Sequence, residues 1–146
     1  MECDLSTDHA RMQIEVIHAF LSTSYWSPGI RRDVVETAIR NSLVIGAFDS
    51  ATGRQVGFAR VITDSATFAH LCDVFVLESH RGRGISKRMV RALLADSRLQ
   101  TLRRWCLATR DAHDVYRPFG FAPVTPDRWM EKRMPPEGWQ ETPQHR

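Results

Sequence analysis

The run VFVLESHRGRGISKRMV, Val74 to Val90, constrains the fold more than any other stretch of this chain. It opens as an apolar strand, turns through Gly82 and Gly84 set between basic residues, and continues as a helix. Ile85, Met89 and Leu93, with Val90 and Leu94, recur at helical spacing on one face, while Lys87, Arg88 and Arg91 point outward. A helix with one apolar face that follows a strand so closely must dock on the sheet and return the chain to it. The next apolar run, around Trp105 to Ala108, therefore completes a strand-helix-strand crossover. Upstream, a short strand at Glu2 to Leu5 leads to Ser6, Thr7 and Asp8 as helix caps, and Ile14, Ile17 and Leu21 carry a helix to about Ser22. SYWSPGI, Ser24 to Ile30, breaks that helix, and Val34, Val35, Ala38 and Ile39 suggest a second short one. Strands Leu43 to Phe48, Gln55 to Thr63 and Phe68 to Leu77, separated by turns at DSATG and at Asp64 to Ala66, predict two consecutive hairpins. After the crossover come a short helix, Asp111 to Phe119, and two last strands near Phe121 and at Trp129 to Arg133. The expected fold class is mixed α/β (α+β): a central, mostly antiparallel sheet, one strand-helix-strand crossover and about four helices.

A chain of 146 residues, 42% of them hydrophobic, suits one domain with one core. We expect that domain over residues 1–134 and a flexible tail over 135–146, where Pro135, Pro136, Gly138 and Pro143 cluster. The net charge of +3 leans toward an anionic ligand, but Lys and Arg are spread from Arg11 to Arg146 and form no polybasic block. Nucleic-acid binding through Arg83, Lys87, Arg88, Arg91, Arg103 and Arg104 would use the charge, yet it leaves the glycine turn without a purpose. Cys3, Cys72 and Cys106 are odd in number and lack Cys-x-x-Cys spacing, which fits reduced thiols in a cytoplasmic protein. Glu2 and Asp4 stand where a signal peptide would be basic, and no apolar run reaches membrane-spanning length. The six His and three Cys show no metal-ligand spacing, so no metal is expected.

The glycine turn is the chemical centre of the sequence. The first amides of a helix have no intrahelical partner and carry about half a positive charge, so a strand-turn-helix junction attracts anions. Glycines let the anion approach the backbone. Arg81, Arg83 and Lys87 around successive amides suit two adjacent phosphates better than one carboxylate, whereas a tight turn with solvated charges is the alternative. The spacing fits neither a nucleotide-hydrolase phosphate loop nor a three-glycine dinucleotide fingerprint.

Arg81-Gly82-Arg83-Gly84-Ile85-Ser86 resembles the Arg/Gln-x-x-Gly-x-Gly/Ala signature of the GNAT superfamily of acetyl-CoA-dependent N-acetyltransferases, and RDAHDVYRPFGF, Arg110 to Phe121, is similar to its second hallmark. The order of elements agrees over residues 2 to 133. Ser86 stands where a third Gly or Ala is usual, and Thr109 where many members have Asn. The resemblance implies that Arg81, Gly82, Arg83, Gly84, Ile85, Ser86 and Lys87 hold the coenzyme A pyrophosphate and that the backbone of Phe75, Val76 and Leu77 pairs with the pantetheine. It also implies a coenzyme contact at Thr109, and Tyr116 as the acid that protonates the departing sulfur. Without the resemblance, Tyr116 reads as a core tyrosine.

Asp73 interrupts the apolar LCDVFVL run, and strict alternation puts it on the face of Leu71, Phe75 and Leu77. A carboxylate there must be paired or used. It is either a catalytic base or the ion-pair partner of a residue such as Arg60, with Glu78 and His80 as lesser candidates for the base. Tyr25 and Trp26, between the first two helices, are candidates for the acceptor pocket, with Phe68 and Trp129; Arg110 and His113 can face it too. Ordinary packing is the other reading of each. The function expected is transfer of an acetyl group from acetyl-CoA to a primary amine of a small molecule, with no nucleic acid or membrane partner and with a homodimer allowed. The alternatives are a catalytically silent acyl-CoA-binding module and a protein or peptide N-terminal acetyltransferase.

Overall fold

The computed structural model describes residues 2–142. Five strands form one sheet in the order β1-β2-β3-β4-β5, with β1 at Cys3–Ser6, β2 at Leu43–Asp49, β3 at Gln55–Thr63, β4 at Phe68–Val76 and β5 at Arg104–Leu107. The first four are antiparallel neighbours, and β5 joins β4 in parallel through the crossover helix α3, Ile85–Leu94. Helix α3 lays Ile85, Met89, Val90 and Leu93 on one face of the sheet, against Ile45, Ala47, Val61 and Leu71. The other face is covered by α1, Ile14–Leu21, and α2, Arg32–Arg40, whose Ile17, Leu21, Val35 and Ile39 pack on Val44, Phe48, Phe58 and Phe75. Covered on both sides, β2 is buried at every residue, which is why LVIGAFD runs apolar without alternation.

The helix expected from residue 6 begins later. Asp8 Oδ1 accepts from the Ala10 amide at 2.9 Å and caps a single 3-10 turn, His9–Arg11, and α1 starts only at Ile14. A reciprocal pair fixes that start: Gln55 Oε1 accepts from the Gln13 amide at 2.8 Å, and Gln13 Oε1 accepts from the Gln55 amide at 3.0 Å. These bonds let Gln55, which is fully buried, stay in the core.

Two expectations fail in β4 and beyond it. Register with β3 slips between Arg60↔Cys72 and Phe58↔Phe75, so Asp73 and Val74 together oppose Ala59 in a bulge, with Asp73 at φ +55°. The extra residue reverses the alternation. Leu71 packs toward α3 and Phe75 toward α1 and α2, so Asp73 does not share a face with both. The final strands near Phe121 and at 129–133 are also absent among the described residues. Pro123 and Pro126 remove ladder donors from that stretch, which leaves Val124, Trp129, Met130 and Met134 exposed.

The stretch after Met134, read from sequence as a flexible tail, makes specific contacts as far as it is described. A 3-10 turn at Pro136–Gly138 leads to a bridge between Gln140 and Ile30. The Arg31 amide donates to Trp139 O at 2.9 Å, and the Glu141 amide to Gly29 O at 2.7 Å. Residues 143–146 of that expected tail lie outside the described residues. The contacts clamp SYWSPGI, the loop that carries Tyr25 and Trp26. Truncation after Met134 is therefore expected to speed hydrogen exchange at the Arg31 amide by tenfold or more, and exchange unchanged by truncation would show that the clamp contributes nothing.

Candidate active site

The glycine turn has the form that an anion site needs. Gly82 and Gly84 take left-handed conformations, φ +79° and +73°, and Gly84 is the N-cap of α3 without any side-chain cap. A Cβ added at either glycine would meet nothing within 4 Å, so the concave side of the turn is open. The leading amides of α3 face that opening without intrahelical partners. Lys87 and Arg81 are exposed beside it, and Arg83 lies within the turn. Arg88 is not available, because its Nη2 donates to Cys3 O at 3.1 Å and ties α3 to β1.

Before this turn, β4 leaves its neighbour β5. The β4–β5 ladder ends at Leu71↔Leu107, and the Asp73 bulge follows at once, so the two strands part. The Leu77 amide donates to Val56 O at 2.8 Å, and Val76 sits opposite Gly57. Antiparallel alternation then turns the N–H and C=O of Val76 away from β3. Arg81 Nε donates to that Val76 carbonyl at 3.0 Å. Of Phe75, Val76 and Leu77, Val76 has its backbone groups turned away from β3, while the Leu77 amide is engaged within the sheet.

Where the strands part lies a cavity of about 560 Å³, walled by Tyr25, Trp26, Asp73, Thr109, Arg110 and Tyr116, among others. Tyr116 ends the short helix α4, His113–Tyr116, and also lines a neighbouring cavity of about 370 Å³ that contains His113. It is half-buried. Burial first, and the Tyr25 phenol second, raise its pKa above the ordinary tyrosine value, so its hydroxyl keeps its proton through the neutral range. Thr109 Oγ1 accepts from the Ala112 amide at 3.1 Å and shapes the loop before α4.

Asp73 stands in the cavity wall as an ion-pair partner. Arg60 Nε donates to Oδ2 at 2.9 Å and Trp26 Nε1 to Oδ1 at 2.9 Å, while Arg60 Nη1 also donates to Ser42 Oγ at 3.0 Å. Both partners of the pair are largely buried, with side-chain exposures of 17% and 12%. Burial pushes the thiol pKa of Cys72 beside it up to about 12, which disfavours the thiolate there. His80, considered as a base, bonds instead to Asp49 Oδ2 at 3.0 Å, and Glu78 is exposed on the same turn.

Tyr25 and Trp26 thus reach the cavity, but Phe68 and Trp129 do not. Phe68 begins β4 opposite Arg104, and Trp129 stacks under Arg104, 5.0 Å from guanidinium to ring centroid, at the outer edge of β5. Sequence reasoning missed two contacts that organise the wall, the Trp26–Asp73 hydrogen bond and the stack of Arg110 on Tyr25. Among the described residues no group of three or more His, Cys, Asp or Glu is placed to hold a metal ion.

Comparison with known proteins agrees with this geometry. Residues 40–123 match the family described as Acetyltransferase (GNAT) domain. A candidate acetyltransferase of Gibberella zeae is 34% identical, over 77% of this chain and 74% of its own. The crystal structure of a candidate GNAT-family acetyltransferase from Xanthomonas campestris superposes with a TM-score of 0.88 at 47% identity, covering 93% of this chain and 96% of that one. A candidate acetyltransferase of Clostridium acetobutylicum, solved with acetyl-CoA, shares the fold at a TM-score of 0.67 and 14% identity, over 90% of this chain and 96% of its own. The matched span exceeds half of the chain, and the strand-turn-helix junction and parted strands lie inside it: the chain belongs to the GNAT family of acetyltransferases, which are transferases.

Proposed function

We propose that this protein transfers an acetyl group from acetyl-CoA to a primary amine of a small molecule, in the cleft between β4 and β5. The observation that carries the reading is the placement along β4: the cavity that Tyr116 lines lies where β4 leaves β5, and the same strand leads through Val76, whose backbone faces away from β3, to the open, glycine-lined N-terminus of α3. In this reading Gly82 to Lys87 hold the pyrophosphate with Arg81 and Arg83 beside them, Val76 pairs with the pantetheine, and Thr109 shapes the wall next to it. Arg81 must release the Val76 carbonyl to admit a ligand, which frees its guanidinium for phosphate.

Bound acetyl-CoA supplies a thioester carbonyl that the acceptor nitrogen attacks, forming a C–N bond as the C–S bond breaks. Tyr116 gives its proton to the leaving sulfur. The ammonium form of the acceptor loses one proton to solvent before attack and a second as the amide forms, and solvent returns one to Tyr116, so one proton is released overall. An alkylamine has its pKa near 10.4, so deprotonation costs roughly 4 to 5 kcal/mol at pH 7. Asp73 is not placed to offset this alone, because both of its oxygens are engaged. We assign Asp73 to positioning: it holds Trp26 and balances Arg60. Asp73→Asn is then expected to lower stability by about 2 to 4 kcal/mol, since it leaves Arg60 without its counter-charge. It should reduce turnover by the same factor at every pH from 6 to 9. A base would show its largest loss at neutral pH and recover at high pH, and that pattern would overturn the assignment.

The free thiols of Cys3, Cys72 and Cys106 fit a reducing compartment, and we place the reaction in the cytoplasm. The direct test of the function is thiol release from acetyl-CoA across amino acids, polyamines, arylamines, aminoglycosides and peptides. Tight acetyl-CoA binding without release for any acceptor would favour a silent binding module.

A further inference from the structure

We propose that Arg110 anchors a carboxylate on the acceptor, so that the substrate is an amine that also carries a carboxylate, as amino acids do. The proposal rests on the acetyl-transfer reading above and adds the class of acceptor to it.

Arg110 lies in the loop after β5, on the wall of the same cavity that Trp26 and Tyr116 line. Its guanidinium sits over the Tyr25 ring, 3.9 Å from the centroid, and its backbone N–H donates to Tyr25 Oη at 3.2 Å. Two contacts between the same two residues fix the side chain and the loop together. Stacking on a ring face holds the guanidinium plane but uses none of its five N–H donors. Among the described residues, no carboxylate, carbonyl or hydroxyl accepts from the Arg110 guanidinium.

The other cations near the cavity differ in this respect. Arg60 is consumed by Asp73 and Ser42, and Arg133 Nε donates to Glu131 at 3.1 Å. The acidic side of the wall is also partly spent, because Asp73 is paired, which leaves Asp111 as the other acid lining the cavity. A planar fork held in place before the ligand arrives loses little freedom when it binds, and two parallel N–H donors match the two oxygens of a carboxylate. The wall that would receive the rest of the molecule is set as well, since Trp26 is locked by Asp73 and stands edge-on to Tyr25, with ring centroids 5.1 Å apart. An acceptor would thus be gripped at its carboxylate by Arg110, packed against the indole, and presented by its amine toward Tyr116.

Matched acceptors test this: phenylalanine against phenethylamine, and 4-aminobutyrate against propylamine, in steady-state thiol release. The wild-type protein should favour the carboxylated member of at least one pair by roughly tenfold or more in kcat/KM. Arg110→Met, which keeps an unbranched side chain for the ring and removes the fork, should lower kcat/KM for that member by about 10- to 100-fold, mainly through KM. The decarboxylated partner and the KM for acetyl-CoA should move less than about threefold. An equal loss for both members would overturn the proposal and leave Arg110 as a support for Tyr25; a preference for the decarboxylated members would overturn it too. Calorimetric titration of the coenzyme A-loaded protein with N-acetylphenylalanine and N-acetylphenethylamine needs no turnover. Tighter binding of the acid, lost in Arg110→Met, supports the anchor, and failure to distinguish the two overturns it. Absence of acetyl transfer to any amine, with the acid still bound selectively, would instead overturn the acetyl-transfer reading alone.

Discussion

Gly84→Asp is expected to lower affinity for acetyl-CoA by about 100-fold or more while the protein remains folded. A Cβ at this position meets nothing within 4 Å, so the side chain has room in the free protein. The cost to the fold is confined to holding a non-glycine residue at φ +73°, about 1 kcal/mol and least for Asn or Asp. Its carboxylate then projects over the first amides of α3, into the space assigned to the pyrophosphate. Two unit charges about 5 Å apart repel by roughly 3 kcal/mol at an effective dielectric near 20, and a hundredfold loss corresponds to about 2.7 kcal/mol. Gly84→Asn carries the same backbone cost without the charge and should lose clearly less. Calorimetry on both variants, with circular dichroism to confirm folding, separates the causes. If Gly84→Asp binds acetyl-CoA as tightly as the parent, the pyrophosphate does not sit at this turn.

The turn could be read from sequence because its physics is local. An apolar strand, two glycines and a helix with one apolar face lie within 17 consecutive residues, Val74 to Val90, and the structure places α3 and the left-handed glycines inside that run. The two hairpins were legible for the same reason, since turn residues separate runs with strand character. The bulge in β4 was not. Asp is a residue that can adopt φ +55°, but nothing in LCDVFVL distinguishes a bulge from continued alternation. That one inserted residue decides which way Leu71 and Phe75 face and where β4 leaves β5. It thereby creates the cleft.

Other features depend on contacts far apart in sequence. Gln140 reaches Pro28 across 112 residues, so a proline-rich end that looks frayed proves to clamp the loop holding Tyr25 and Trp26. In sequence the same loop is a break in helical pattern, which locates two cavity aromatics without saying what holds them. Phe68 and Trp129 share the chemistry of Tyr25 and Trp26 but not their place, because residue type reports what a side chain can touch and only topology reports where it is. Asp73 was recognised as a carboxylate in need of a partner. The structure supplies Arg60, a partner the sequence suggests, and Trp26, a partner it does not.

Tyr116→Phe is expected to lower kcat by roughly 100-fold or more, the usual scale for general acid catalysis, while affinity for acetyl-CoA stays within a few-fold. The substitution keeps the ring, and with it the edge contact to Phe121 at 6.0 Å between centroids, so α4 and the Gly120–Phe121 turn should hold. It removes one hydroxyl, which in our reading acts on the leaving sulfur and hardly at all on the bound ground state. Such a group affects kcat and kcat/KM together. The pH dependence carries a further sign. Burial raises the Tyr116 pKa, so the protonated, competent form extends to higher pH than for a tyrosine in water. From pH 6 to 9 the wild-type hydroxyl is therefore protonated throughout, and the deficit of the variant should be nearly constant across that range. With an acceptor whose transfer is not limited by departure of the thiolate, the deficit shrinks. If Tyr116→Phe retains full kcat from pH 6 to 9 with a working acceptor, Tyr116 only packs against Phe121. The proton for the sulfur must then come from water or from another residue.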